Sequence, residues 1–201
     1  ADMAVERQAR DLLAQRFPDH AILGEEYGAG DLGASHVWVI DPIDGTRSFI
    51  CGHPLFGFLL AHVHDGDPVL GLISMPALGE LFMGQRGKGA TLNGQPIRVS
   101  TKRALKDAFI SINEGEKLLM HEPQALSRLL GAGHTRRFGY DCYPHALLAA
   151  GRLDAVVDYD LKPFDYLPLA GVIEAAGGIN TDWDGRPLGF ESDGRVVLAA
   201  K

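Results

Sequence analysis

The sequence predicts an α/β protein: a layered α/β sandwich forming one domain over residues 1–201, with approximate subdomains 1–110 and 111–201. Three observations carry that expectation. Runs at 55–63, 69–75 and 80–84 read as strands of a meander, and His64-Asp65-Gly66-Asp67-Pro68 supplies a tight turn between the first two. After residue 108 the rhythm changes to alternating strand and helix. The chain has 201 residues, with 46% hydrophobic and 22% charged content, enough for an ordinary globular core.

Taken in order, residues 3–16 carry Val5, Ala9, Leu12 and Leu13 at mostly helical spacing, with Arg and Glu on the other side. Asp2 stands at the expected N-cap, and Glu6 follows in the first turn. Phe17-Pro18-Asp19 ends that helix, and a short strand from residue 21 leads into Gly24-Glu25-Glu26-Tyr27-Gly28. Val37, Trp38, Val39 and Ile40 form a strand that Pro42, lacking a backbone donor, is expected to stop. A short helix is expected after Gly45. Asn93-Gly94 marks a hairpin turn. In the second half, 108–112, 135–138, 153–157 and 196–199 read as strands, and 116–130, 142–150 and 165–176 as helices. No internal repeat, low-complexity tract or linker interrupts the pattern.

Composition excludes several function classes. A net charge of −7 leaves no basic stripe to collect phosphates, so nucleic acid is not an expected partner. No run approaches the roughly 18 apolar residues of a membrane span. Cys51 and Cys142 are the only cysteines, which is too few for a disulfide framework, and they read as free packing thiols in a reducing, cytoplasmic setting. The segment 84–89 has glycines but not the spacing of a phosphate-binding loop. His62 and His64 share one face of a strand end, yet no third ligand at suitable spacing accompanies them as a zinc site. The chain opens on Ala1-Asp2 without a starting Met and reads as the remainder of a longer protein.

The chemistry concentrates in HVWVIDPIDGTRSF, residues 36–49. Asp41 and Asp44 sit at the carboxyl end of an apolar strand, just before Gly45 and Thr46, where a helix start points free N–H groups outward. Paired carboxylates beside exposed amides suit a hard divalent cation holding a phosphate. As D-P-x-D alone, the pattern also fits an ordinary polar turn. The full D-P-I-D-G-T string after an apolar strand resembles the metal-binding signature of the inositol monophosphatase-like family of lithium-sensitive, magnesium-dependent phosphatases. A rival phosphatase class uses D-x-D-G-T with an attacking Asp. Here the acids are three apart, which favours ligation and direct attack by water. There is no G-x-S-x-G elbow for a serine nucleophile.

That resemblance extends along nearly the whole chain. It implies the inositol monophosphatase/fructose-1,6-bisphosphatase type of sandwich, here lacking an N-terminal helix and strand-loop segment ahead of Asp2. It makes Glu25 of ILGEEYG a metal ligand, and sets Glu26 close to the attacking water. Asp2 takes the place of an Asp that helps orient that water, although a plain capping Asp fits the position equally. Asp165 in LKPFD, ahead of the Glu174-to-Gly178 ending, becomes a further ligand, or else the cap of its helix. Phe164 stands where the family usually has Trp. Glu25, Asp41, Asp44, Asp165 and the Ile43 carbonyl would then form an all-oxygen site for two or three Mg²⁺ ions, with Mn²⁺ as a substitute. Phosphate would rest on the Gly45 and Thr46 amides, and Thr46 with Glu26 or Asp2 would orient the water.

Within the family, FGYDCY (138–143), LKPFD (161–165) and RSFI (47–50) resemble the histidinol-phosphate phosphatase branch, with Tyr140 in place of a Gly. The expected partner is a small phosphorylated alcohol, most specifically L-histidinol phosphate. Its cationic end would suit Asp141 and Asp158, each of which also fits a surface or helix-cap Asp. The alternatives are inositol monophosphate or another small sugar or nucleotide phosphate. The family habit implies a homodimer. A reading from another class stays open: a remnant or binding module that keeps the fold without turnover.

Overall fold

Strand β3 (His36–Asp44) lies between β1 (Ala21–Gly24), to which it is parallel, and β4 (Gly57–His64), to which it is antiparallel. The molecule is a computed structural model that describes residues 1–102 and 104–201. From β4 the chain meanders through β5 (Asp67–Met75), β6 (Glu80–Gln85), β7 (Gly89–Leu92) and β8 (Gln95–Ile97). With the short β2 (Gly28–Ala29) on the outer side of β1, this makes an eight-stranded sheet. The turns match their residues. Asp65 and Gly66 both have positive φ (50° and 84°), as do Asn93 and Gly94 (49° and 78°), the signature of two-residue hairpin loops.

A five-stranded sheet follows, ordered β10-β9-β11-β13-β12. Its strands are β9 (Phe109–Ile112), β10 (Thr135–Phe138), β11 (Ala155–Asp158), β12 (Ile179–Asp182) and β13 (Val196–Ala199). β9 runs parallel to both β10 and β11, while β13 is antiparallel to β11 and β12. Among the helices, α1 (Asp2–Arg16) and α2 (Thr46–Ile50) belong to the first half. The second half holds α3 (Gly115–His121), α4 (Pro123–Gly131), α5 (Tyr143–Ala149) and α6 (Pro163–Ala175). Among the described residues, no helix is long and apolar enough to cross a membrane.

The core lies around α6, whose residues from Tyr166 to Ile173 are all buried. A helix apolar all round must be covered all round. α6 packs on strands of both sheets, and the largest buried cluster draws side chains from both halves of the chain. The seat is close because glycines make it so. A Cβ on Gly84 would come within 2.7 Å of the Val172 Cα, and one on Gly171 within 2.9 Å of the Gly71 nitrogen. Helix backbone therefore lies directly on strand backbone.

The layered α/β expectation holds, and several local expectations are corrected. Pro42 does not stop β3: the strand continues to Asp44 through a bulge that absorbs the missing donor. The single helix expected over 116–130 is two, because Pro123 cannot continue α3 and instead opens α4. Asp2 is the first residue of α1, with Ala1 at the N-cap and no side-chain cap. The face of α1 also departs from its pattern: Leu12 is 60% exposed, and the one buried residue is Glu6.

Candidate metal and phosphate site

The bulge in β3 builds the acidic pair. Along a regular strand, residues three apart point to opposite faces. Between Asp41 (opposite Leu59) and Asp44 (opposite Gly57), β3 spends three steps where β4 spends two. The extra residue brings both carboxylates to one side. Asp41 is buried and accepts the Ile43 N–H at 3.0 Å. Asp44 accepts the Cys142 N–H at 2.6 Å, which ties β3 to the start of α5. Gly45 then takes a left-handed conformation (φ 79°) and α2 begins at Thr46, whose hydroxyl donates to the Ile43 carbonyl at 3.2 Å.

Asp165 arrives on α6. It occupies the third helical position and accepts the Lys162 N–H at 2.6 Å, so it closes the helix start from inside the first turn. Ligand oxygens of Asp41, Asp44 and Asp165 all lie within 4.8 Å of one another. Glu25 stands outside that triple, on the exposed loop after β1, with its N–H on the Ile40 carbonyl at 3.2 Å. It is near enough for its charge to raise both Asp41 and Asp165. Asp2 and Glu26 act on Glu25 in the same way.

Burial and like charge set the electrostatics of the site. Burial is the largest cause of the upward shifts at Asp41 and Asp44, reinforced at Asp41 by Asp44 and Asp165, and at Asp44 by Asp165. Burial likewise lifts Asp165 to about 7 against the opposing Lys162 hydrogen bond. Burial and mutual repulsion thus both oppose ionisation of these carboxylates. An all-oxygen, anionic donor set of this kind fits a hard divalent cation, so the residues present suit Mg²⁺ or Mn²⁺.

Asp141 and Asp158, both expected to face substrate, are placed differently from each other. Asp141, with positive φ (54°), sits over Gly45 and accepts the Ser48 hydroxyl at 2.5 Å. A Cβ on Gly45 would stand 2.8 Å from an Asp141 oxygen, so only glycine fits beneath it. Burial pushes the Asp141 carboxyl up, while Ser48, His53 and Arg47 oppose that. Asp158 is held inside the protein, away from the surface position that was its alternative reading. It is 3% exposed, and its oxygens are taken by His145 Nε2 (3.0 Å), Asn113 Nδ2 (2.8 Å) and the Tyr159 N–H (2.9 Å). Asn113 also donates to the Asp141 carbonyl at 3.2 Å, so Asp158 acts behind Asp141.

Sequence reasoning missed Glu6. Its carboxylate is fully buried, accepts the Glu26 N–H at 2.8 Å and the Tyr27 N–H at 3.3 Å, and pairs with Arg10 at 2.7 Å. A side chain at Gly24 would overlap it. The only local signal was the i,i+4 spacing of Glu6 and Arg10, which ordinarily marks a solvated pair.

With this geometry established, the likeness to known proteins is specific. The sequence model of the inositol monophosphatase family matches residues 1–201. The chloroplastic bifunctional phosphatase IMPL2 of Arabidopsis thaliana is 40% identical over 202 residues, covering 100% of this chain and 58% of that protein. A histidinol-phosphatase of Chlorobaculum parvum is 39% identical over 199 residues, 98% of this chain and 76% of that protein. An inositol monophosphatase structure from Zymomonas mobilis superposes with a TM-score of 0.88 at 37% identity, covering 98% of this chain and 77% of that one. This chain thus spans less than two thirds of the Arabidopsis relative's length. Matched by the family over all of its residues, with the D-P-I-D acids gathered by one bulged strand, it belongs to the inositol monophosphatase family.

Proposed function

We propose that this chain is a divalent-cation-dependent phosphomonoesterase whose substrate is histidinol phosphate. The observation that carries the reading is the cluster of Asp41, Asp44 and Asp165 oxygens within 4.8 Å of one another, next to the start of α2. Glu25, those three acids and the Ile43 carbonyl would hold Mg²⁺ or Mn²⁺, which supplies Lewis acidity and offsets the charge of acids and phosphate together. The chain's own groups do the rest. The Gly45 and Thr46 amides, which have no acceptor within the helix, hold the phosphate oxygens. The Thr46 hydroxyl already donates to Ile43, so its lone pairs are free to accept from the attacking water. Glu26 or Asp2 takes that water's proton. The water would enter in line, opposite the ester oxygen, whose bond to phosphorus breaks on the Asp44 and Asp165 side and which takes a proton from solvent to leave as the alcohol.

Asp141 supports the choice of alcohol. Its carboxylate is half-buried beside the phosphate-holding turn, and an ammonium or imidazolium would supply a counter-charge that a neutral polyol lacks. The name of the Chlorobaculum relative, a histidinol-phosphatase, points the same way. The test is phosphate release from histidinol phosphate, inositol monophosphate and fructose 1,6-bisphosphate, with and without Mg²⁺. Chelation should abolish release, and Mg²⁺ should restore it. Asp141→Asn should lower kcat/KM for histidinol phosphate by about ten- to a hundredfold, the worth of one charge-assisted hydrogen bond, and much less for inositol monophosphate. Equal losses would make Asp141 structural. A wild-type preference for inositol monophosphate would overturn the substrate, and full activity of metal-free protein would overturn the chemistry.

A further inference from the structure

We propose that His20, His36 and His62 form a second metal site, for a borderline divalent cation such as Zn²⁺ or Ni²⁺, at the opposite end of β3 from the carboxylates. The sequence alone offers only His62 and His64, with no third ligand. Strand pairing supplies the third and the fourth imidazole. β1 lies parallel to β3 with Ala21 opposite Val37, which sets His20 beside His36, and β4 sets His64 opposite His36 and His62 opposite Trp38. Four histidines thus gather on one face of three adjacent strands.

Their nitrogens converge. Ligand atoms of His20, His36 and His62 all lie within 4.8 Å of one another. His36 Nδ1 and His62 Nε2 are 3.2 Å apart. Two imidazole nitrogens on a tetrahedral zinc, each at about 2.0–2.1 Å, stand roughly 3.3 Å apart, so this pair already has a chelating separation. In the absence of an ion, one of the two must donate a proton to the other, and an ion bound by both lone pairs releases that proton to solvent. The rings are stacked, His20 on His36 at 4.5 Å, His36 on His64 at 4.4 Å and Trp38 on His62 at 4.6 Å between centroids, so side-chain rotation of His20 is needed to turn its lone pair onto an ion shared with His36.

The chemistry of the donors selects the ion. Neutral imidazole suits zinc, nickel and copper and is a poor match for Mg²⁺, so this site and the carboxylate site take different metals. Imidazole ligates in its neutral form, which an ordinary histidine supplies at neutral pH. The three imidazoles are half-buried, so water can fill a fourth position, and His64 is exposed beside them with its Nδ1 3.1 Å from the Ser35 carbonyl. The Trp38 indole N–H lies 3.1 Å from His20 Nδ1, close enough to report on the site.

The test uses tag-free protein carrying Cys51→Ser, to remove the exposed thiol, in saturating Mg²⁺ to occupy the carboxylates. Zn²⁺ is titrated by calorimetry and Ni²⁺ by tryptophan fluorescence, with Co²⁺ absorption as a check on ligand geometry. One ion should bind per chain, Ni²⁺ should quench fluorescence, and Co²⁺ should give the visible bands of a tetrahedral nitrogen site. His36→Gln and His62→Gln should each weaken binding by about a hundredfold, while His134→Gln, on the other sheet, should leave it unchanged. Circular dichroism confirms that the variants are folded, and His20→Gln replaces either one that is not. Absence of binding to the parent protein, or equal affinity in the cluster variants, overturns the proposal.

Discussion

The two ends of β3 answer the same physical demand in opposite ways. At the carboxyl end burial drives Asp41, Asp44 and Asp165 upward, and at the amino end it drives His62 downward. Both shifts favour the neutral form, because removal from water penalises charge of either sign. The consequences for metal binding differ. At the acids a cation competes with protons for the same oxygens, which burial and like charge make more basic. The imidazole is already stripped of its excess proton and needs only an ion that accepts nitrogen lone pairs. One strand therefore carries a hard site and a softer one, separated by the buried run from Val37 to Ile40.

The largest expected effect breaks the carboxyl end alone. Asp44→Asn keeps the acceptor for the Cys142 N–H but removes one ligand charge, and several kcal/mol of metal-borne stabilisation should go with it. Turnover should fall by on the order of a hundredfold or more, while the metal-free melting temperature rises because one like charge is gone. Near-normal kcat would remove Asp44 from the ligand set. At the other end, His36→Gln should leave kcat within about twofold, since distant sites act independently.

A smaller effect is expected from Glu6→Ala, which unhooks the loop of Glu25 and Glu26 without touching any of the three clustered acids. Losing a charged acceptor for two backbone donors should cost about 2–3 kcal/mol in denaturant unfolding and about tenfold in kcat. Asp44-like losses from Glu6→Ala would mean that Glu25 on this loop is as essential to cation binding as Asp44.

The smallest and most diagnostic effect is in pH. The metal-free native state binds the Asp165 proton more tightly than the unfolded chain does, so stability should fall as pH rises from about 4 through about 7. The depressed His62 has the reverse sign: its contribution is present above about 6.5 and is lost as pH falls toward about 4. Thermal melts should show Mg²⁺ flattening the first limb and His62→Gln flattening the second. Two limbs that responded to the same perturbation would mean that the ends of β3 are coupled.

How much of this could be read in advance depended on the range of the interactions. Asp41, Asp44, Gly45 and Thr46 were legible because strand, kink and helix start lie within a few residues and each uses local chemistry. The apolar run from Val37 to Ile40 was legible as a strand too, and all four residues are buried. The passage of β3 through Pro42 was not, since a proline breaks a regular ladder and only pairing with β4 reveals the compensating residue. The buried surroundings of Asp158 were not legible, because its partners His145 and Asn113 come from a helix and another strand's end. The imidazole cluster depends on the parallel register of β1 with β3, which no local pattern encodes.

Glu6 has one consequence for how the molecule comes apart. α6 is sealed over eight consecutive residues, so its amides should exchange with solvent only when the whole protein unfolds. α1 buries a single side chain, and so its opening should be a sub-global event of much lower free energy. When α1 peels away, the Glu26 and Tyr27 amides lose their acceptor and the loop goes with it, while Asp41, Asp44 and Asp165 stay on the intact sheet and helix. On warming, the protein should therefore lose the loop of Glu25 and Glu26 before it loses the seat of Asp41, Asp44 and Asp165, and the phosphatase activity proposed above should fade at temperatures where most of the structure still stands.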